Sequence, residues 1–64
     1  MEFHALVERV RSEFREMPGL QLTPAQASRL LGIEPAACVS VIDALIGAAF
    51  LRRTRAGTIV RSER

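Results

Sequence analysis

The segment from Thr23 to Pro35 constrains the fold most, because it contains a helix start, a helix stop and another helix start. The sequence TPAQ begins at Thr23. Its threonine can cap a helix, its proline is favoured at the first helical position, and its glutamine can complete a capping box with the threonine. Gly32 suits the left-handed end of a helix, and Pro35 suits the next helix start. The segment predicts a brief helix over residues 24–31 and a longer one over residues 35–49.

The chain before this segment predicts one more helix and a short strand. An apolar stripe at three- and four-residue steps indicates a helix over residues 2–17. Pro18-Gly19 ends that helix, and residues 20–22 alternate like a very short strand. The stripe consists of Phe3, Leu6, Val7, Val10, Phe14 and Met17.

The chain after it predicts a β-hairpin over residues 50–61. Two β-prone runs flank Ala56-Gly57, which is typical of a two-residue hairpin loop. With that loop, the predicted register has Arg55 opposite Thr58, Arg53 opposite Val60 and Arg52 opposite Arg61.

The apolar positions predict one small core shared by the three helices. Ile33 is expected to plug the turn between the second and third helices. The second helix is expected to contribute Ala27, Leu30 and Leu31 to this core. The third helix is expected to contribute Cys38, Val41, Ile42, Leu45 and Ala49. The predicted fold class is mainly α-helical, with three helices and a small β-hairpin closing one side, in a single domain over residues 1–64. A chain of this length buries a thin core, so a partner surface would add stability.

The charge distribution indicates an anionic partner. All nine basic residues are arginine, which high genomic GC content or a phosphate-binding role would explain. From Leu51 onward there are five arginines and one acid, Glu63, although the net charge is only +2. The positive charge is therefore concentrated toward the C-terminus.

The sequence offers no chemistry for an enzyme, a metal site or a cofactor. It has one histidine and one cysteine, Cys38, and it lacks a nucleophile–base pair and a glycine-rich phosphate loop. We expect Cys38 to be a small core residue. No apolar stretch is long enough for a membrane span, and the N-terminus does not have the pattern of a signal peptide. We therefore expect a bacterial-type cytoplasmic protein with no membrane partner and no small-molecule substrate.

The order of these elements resembles the winged helix-turn-helix fold. The similarity covers residues 1–61, and its strongest parts are LTPAQASRLLGIEPAACVSVIDALIGAAFLRRT and RTRAGTIVR. Bacterial winged-helix regulators commonly end the third helix in Leu-x-x-x-Gly-Leu-Val-x-Arg. Leu45, then Ala49-Phe50-Leu51-x-Arg53 stand at those places here, with alanine where glycine is usual. The stretch MPGLQLTPAQASRLLGIEPAAC is also similar to a recurrent group of small bacterial helix-turn-helix proteins.

The resemblance implies DNA binding, with the third helix in the major groove and the hairpin on the backbone. Transferred by position, the base-facing residues are Ala36, Ala37 and Ser40, with Asp43 and Ala44 beyond them. None of these is the Arg, Lys, Asn or Gln that reads guanine or adenine bidentately. Phosphate contacts are expected from Arg52, Arg53, Arg55 and Arg61 and from the start of the second helix, with Thr23 and Gln26. Solvated arginines that protect a sheet edge would give the same hairpin sequence.

A protein-interaction module is the alternative to a DNA-binding regulator. Small residues recur every four positions along the third helix, and such a ridge lets another backbone approach closely. The predicted interface, for a second copy or another protein, consists of Ala36, Val39, Ser40, Ala44, Ile46, Gly47 and Ala48. Alanine as a strong helix former would explain the same residues without any partner.

Overall fold

The computed structural model describes residues 2–62, which form three helices and a three-stranded antiparallel sheet. The helices are α1 (Phe3–Glu16), α2 (Pro24–Leu31) and α3 (Pro35–Gly47). The strands are β1 (Gln21–Leu22), β2 (Leu51–Arg53) and β3 (Ile59–Arg61), in the sheet order β1-β3-β2. The fold class is the predicted one, mainly α-helical with a small hairpin, and it is compatible with a winged-helix shape.

The core lies between the three helices and the inner face of the sheet. Its buried members are Val10, Phe14, Ala27, Leu31, Ile33, Cys38, Val41, Ile42, Leu45, Leu51 and Ile59. The predicted plug in the turn, Ile33, is confirmed as a buried residue. Next to it, the buried Ser28 hydroxyl donates a hydrogen bond to the Ile33 carbonyl oxygen at 2.6 Å. The one buried polar side chain of α2 is therefore satisfied within the turn.

Four residues predicted to face the core are exposed instead, of which Ala49 is described below with the end of α3. Leu30 is 59% exposed, because α2 is short and buries only the face that carries Ala27, Ser28 and Leu31. Phe3 and Met17 stand at the two ends of the α1 stripe and are also exposed. The stripe is thus buried only in its middle.

The turn between α2 and α3 has the geometry that its sequence predicts. Gly32 adopts the left-handed conformation at φ 66° and ψ 34°. The Ile33 N–H donates to the Ser28 carbonyl at 3.0 Å, which closes the end of α2. Within residues 2–62, no single helix is long and apolar enough to cross a membrane; α2 and α3 reach that length only as a pair bent by 114°.

The end of α3 differs from the prediction of a helix through residue 49. Its last helical residue is Gly47, and Ala49 adopts a left-handed conformation at φ 64°. The Ala49 N–H donates to the Ile46 carbonyl and the Phe50 N–H to the Leu45 carbonyl, each at 2.9 Å. These two bonds form a Schellman motif, which turns the chain out of the helix. Ala49 is therefore exposed and is not part of the core stripe.

The register of the hairpin is shifted by one residue from the prediction. The observed pairs are Leu51 with Arg61, Arg52 with Val60 and Arg53 with Ile59. The expected pairs of Arg53 with Val60 and Arg52 with Arg61 are wrong. Antiparallel partners share a face, so only the observed register buries both Leu51 and Ile59 on the inner face.

The hairpin loop accordingly has three residues between Thr54 and Thr58. The Thr54 N–H donates to the Thr58 carbonyl at 2.9 Å, and the Gly57 N–H donates to the Thr54 carbonyl at 3.1 Å. Gly57 has a φ of 85°, the left-handed conformation that completes a type I turn with a glycine bulge. The predicted pairing of Arg55 with Thr58 is replaced by that of Thr54 with Thr58.

Candidate nucleic-acid interface

The solvent side of α3 carries small side chains and one charge. We call this surface the exposed face of α3; it consists of Ala36, Ser40, Asp43, Ala44 and Gly47. Val39 borders it and is 45% exposed. Two other residues predicted for α3 contacts, Ala37 and Ile46, are half-buried and pack against the core. Ala48 is exposed but follows the last helical residue, so the four-residue ridge ends at Ala44 within the helix.

The hairpin stands beside the exposed face of α3. A guanidinium nitrogen of Arg53 lies 3.5 Å from the Asp43 carboxylate, with side chains 52% and 62% exposed. Such an exposed ion pair adds little stability. It does show, however, that β2 brings a positive charge to the edge of this face. Arg55 is exposed in the loop at the hairpin tip.

The structure does not bring the four hairpin arginines together. Successive strand residues point to opposite faces, so Arg52 and Arg53 lie on opposite faces of the sheet. Arg52 shares the outer face with Val60, whereas Arg53 shares the inner face with Ile59. The predicted phosphate-binding set is therefore divided: two arginines lie on the α3 side and at the tip, and two lie elsewhere.

Arg61 belongs to a separate cluster at the base of the hairpin. Its guanidinium carbon lies 5.8 Å from the centre of the Phe50 ring, and that of Arg11 lies 5.3 Å from the same ring. These distances are typical of cation–π contacts. Arg11 also approaches Glu8 at 3.5 Å. The sequence predicts Arg11 on the solvated face of α1 as a partner of Glu8, and that pair is confirmed. The contact with Phe50 was not predicted, because nothing in the α1 pattern indicates that Arg11 would reach a ring from another element.

The start of α2 already uses the polar groups that were predicted to hold a phosphate. The Thr23 hydroxyl accepts a hydrogen bond from the Gln26 N–H at 3.1 Å, and the Gln26 side-chain oxygen accepts from the Thr23 N–H at 2.9 Å. This is the capping box that the sequence predicts. At the start of α3, the Glu34 carboxylate accepts from the Ala37 N–H at 3.2 Å. Both helix starts are thus capped from within the chain.

Cys38 has a structural position and not a reactive one. It is buried, and its thiol approaches the Pro24 carbonyl oxygen at 3.8 Å, which links α3 to the start of α2. Burial raises the pKa of the Cys38 thiol, so the reactive thiolate is disfavoured at neutral pH. Within residues 2–62, no three side chains of the His, Cys, Asp and Glu types lie together as a metal site.

Comparisons with protein-family models, with curated proteins and with solved structures gave no significant match for this chain.

Proposed function

We propose that this chain is a winged-helix DNA-binding module, and that it acts as a transcriptional regulator in the bacterial cytoplasm. In this proposal α3 faces the major groove, while Arg53 and Arg55 contact phosphates on either side of it. The contact between Arg53 and Asp43 carries the argument, because it shows that the hairpin lies beside the exposed face of α3. A helix flanked by a basic hairpin is the arrangement by which winged-helix domains grip a duplex.

Phosphate contacts dominate the binding in this proposal. The exposed face of α3 offers only Ser40 and Asp43 as polar side chains, and neither can read guanine or adenine bidentately. Arginine contacts to phosphates carry no direct sequence information. We therefore expect modest discrimination between sequences and a strong dependence of affinity on salt.

The test is a fluorescence anisotropy titration with labelled duplexes of mixed sequence at about 50 and about 200 mM NaCl. We expect saturable binding at the lower salt. The variants Arg53→Gln and Arg55→Gln should weaken binding to all sequences alike, and each should reduce the salt slope by about one. Arg15→Gln is the matched control, since it removes an exposed arginine from α1. Absence of binding at tens of micromolar protein and low salt would contradict the proposal.

Asp43 provides a test with the opposite sign. Its carboxylate repels phosphates from the exposed face of α3 and holds Arg53 at 3.5 Å. Asp43→Asn should therefore tighten DNA binding at low salt by about three- to fivefold, the scale of one exposed charge interaction. Glu16→Gln removes an exposed carboxylate from α1 and should leave the affinity unchanged. If both variants change the DNA affinity equally, the change comes from the net charge of the protein and not from contact between DNA and α3.

A protein-interaction module is the second candidate, favoured by the exposure of Val39 beside a face of small residues. Val39 is 45% exposed, and a branched apolar side chain there suits contact with a second copy or another protein. The double variant Ser40→Arg and Ala44→Glu should break a complex and keep the fold, because both residues are exposed. If light scattering gives the same mass for the parent protein and the double variant, self-association through this face is excluded.

A further inference from the structure

The outer face of the sheet contains a cleft that the proposed DNA contacts do not use. It has a volume of about 250 Å³ and lies between the sheet and the turn that joins α1 to β1. We call it the sheet cleft; its polar lining comprises Gln21, Arg52, Thr54 and Arg61. The pairing places Gln21 and Arg52 on either side of Val60, in one row across the three strands. An amide and a guanidinium therefore flank a central apolar residue.

The lining of the sheet cleft suits an anion. Of its two arginines, Arg52 projects from the outer face, whereas Arg61 leaves the sheet on the inner face beside its partner Leu51. None of the lining residues within residues 2–62 is acidic. Guanidinium groups and amide N–H groups are donors that match phosphate oxygens, and arginine can offer two parallel hydrogen bonds. Gly19, in the overhanging turn, has nothing within 4 Å of the position that a Cβ would take. The backbone of the turn is thus open to a ligand as well.

Arg61 adds positive charge at the edge of the cleft, although its side chain leaves from the inner face of the sheet. Its guanidinium carbon lies 5.8 Å from the Phe50 ring centre, and Arg11 approaches the same ring at 5.3 Å. The buried Nε atom of Arg11 has no hydrogen-bond partner among the described residues. These features raise the positive potential at the edge of the cleft.

We propose that the sheet cleft binds a phosphate group. The group is either a small phosphate-bearing molecule or a phosphodiester of a nucleic acid, since both offer the same oxygens. The site is separate from the proposed DNA contacts, because Arg52 and Arg53 lie on opposite faces of the sheet. A protein with this site has two independent anion-binding surfaces.

The experiment is a titration of ¹⁵N-labelled protein with inorganic phosphate, followed by NMR at constant ionic strength with chloride as the balancing ion. We expect saturable shifts at the Gly19, Gln21 and Val60 amides and at the Arg52 side chain. Arg52→Gln should weaken phosphate binding about tenfold, the scale of one charge-assisted hydrogen bond. Arg55→Gln is the matched control and should bind phosphate as the parent does, since Arg55 does not line the cleft.

A second arm uses a duplex without terminal phosphates and separates the two sources. If the duplex shifts the cleft resonances in the parent but not in Arg52→Gln, the site is assigned to phosphodiesters. Cleft shifts with inorganic phosphate alone would assign it to small phosphate-bearing molecules. Absence of saturable shifts with both probes overturns the proposal, as does phosphate binding by Arg52→Gln equal to that of the parent. Loss of duplex binding in Arg55→Gln, with phosphate binding retained, concerns only the proposed DNA contacts.

Discussion

Helices α2 and α3 end in the same backbone geometry but on different residues. Each ends with a left-handed residue, followed by a residue whose N–H reaches back to a carbonyl in the last turn. In α2 the left-handed residue is Gly32 at φ 66°, and in α3 it is Ala49 at φ 64°. Glycine adopts this conformation freely, whereas an L-residue is destabilised there by about 1–2 kcal/mol.

The difference shows that tertiary packing fixes the end of α3 against local preference. Leu51, two residues beyond Ala49, is buried in the core, so the chain must leave the helix before it. Gly47, the last helical residue, stands two positions too early to relieve the strain. α2 thus ends where its sequence favours an end, and α3 ends where the core requires one.

The largest expected effect comes from moving the glycine of α3 to the left-handed position. The double variant Gly47→Ala and Ala49→Gly should stabilise the protein by about 1.5 kcal/mol. Alanine favours a helical position, and glycine relieves the left-handed strain. A Cβ at position 47 meets nothing within 4 Å, so no clash offsets the gain. Thermal unfolding should show a midpoint higher by about 6–12 °C.

The two single variants show which position carries that gain. Each should stabilise the protein by about half to one kcal/mol, and the effects should add, because neither side chain packs in the core. A loss of stability in Ala49→Gly would show that the left-handed geometry at the end of α3 is wrong.

The reverse change at α2 should have a somewhat smaller effect of opposite sign. Gly32→Ala is expected to destabilise the protein by about 1 kcal/mol, since it puts an L-residue at φ 66° without any steric clash. Chemical denaturation at 25 °C measures this. Gly19→Ala is the control: Gly19 lies in an open turn without a positive φ, so no loss is expected there.

The two helix starts come last, with one effect equal to that of Gly32→Ala and one about half as large. Thr23→Ala removes half of the capping box of α2 and should destabilise the protein by about 1 kcal/mol. Glu34→Ala removes a single, longer cap from α3 and should destabilise it by about half as much. The ranking is measured by the denaturant midpoints of the two variants. Ser12→Ala is the control, since it replaces an exposed polar residue of α1. An equal or larger loss in Glu34→Ala would contradict it.

Much of the fold was predictable because local signals and burial agree. The start and end of α2 matched the sequence prediction of residues 24–31, since threonine, proline and glycine each stand where the backbone needs them. The end of α3 could not be read in the same way, because alanine gives no signal for a left-handed residue. Leu30 was misassigned because an eight-residue helix buries a narrower face than its apolar pattern suggests.

The candidate site was harder to predict, since it depends on which sheet face each arginine occupies. The sequence did contain a usable signal: Leu51 and Ile59 are both apolar, and burying them on one face requires a three-residue loop. The preference for a two-residue turn at Ala56-Gly57 led to the wrong register. Long-range contacts such as Arg53 with Asp43 leave no trace in local spacing.

The three-residue hairpin loop separates its own length from the faces of the strands that it joins. Removing Ala56 alone would leave Arg55 and Gly57 between Thr54 and Thr58, which is a two-residue loop that keeps the pairs of Arg53 with Ile59 and Arg52 with Val60. Removing Arg52 would instead move Leu51 by one position along β2 and turn it to the outer face of the sheet. Insertions and deletions should therefore be tolerated in the loop but not in the strands, whose alternation keeps Arg52 and Arg53 on opposite faces.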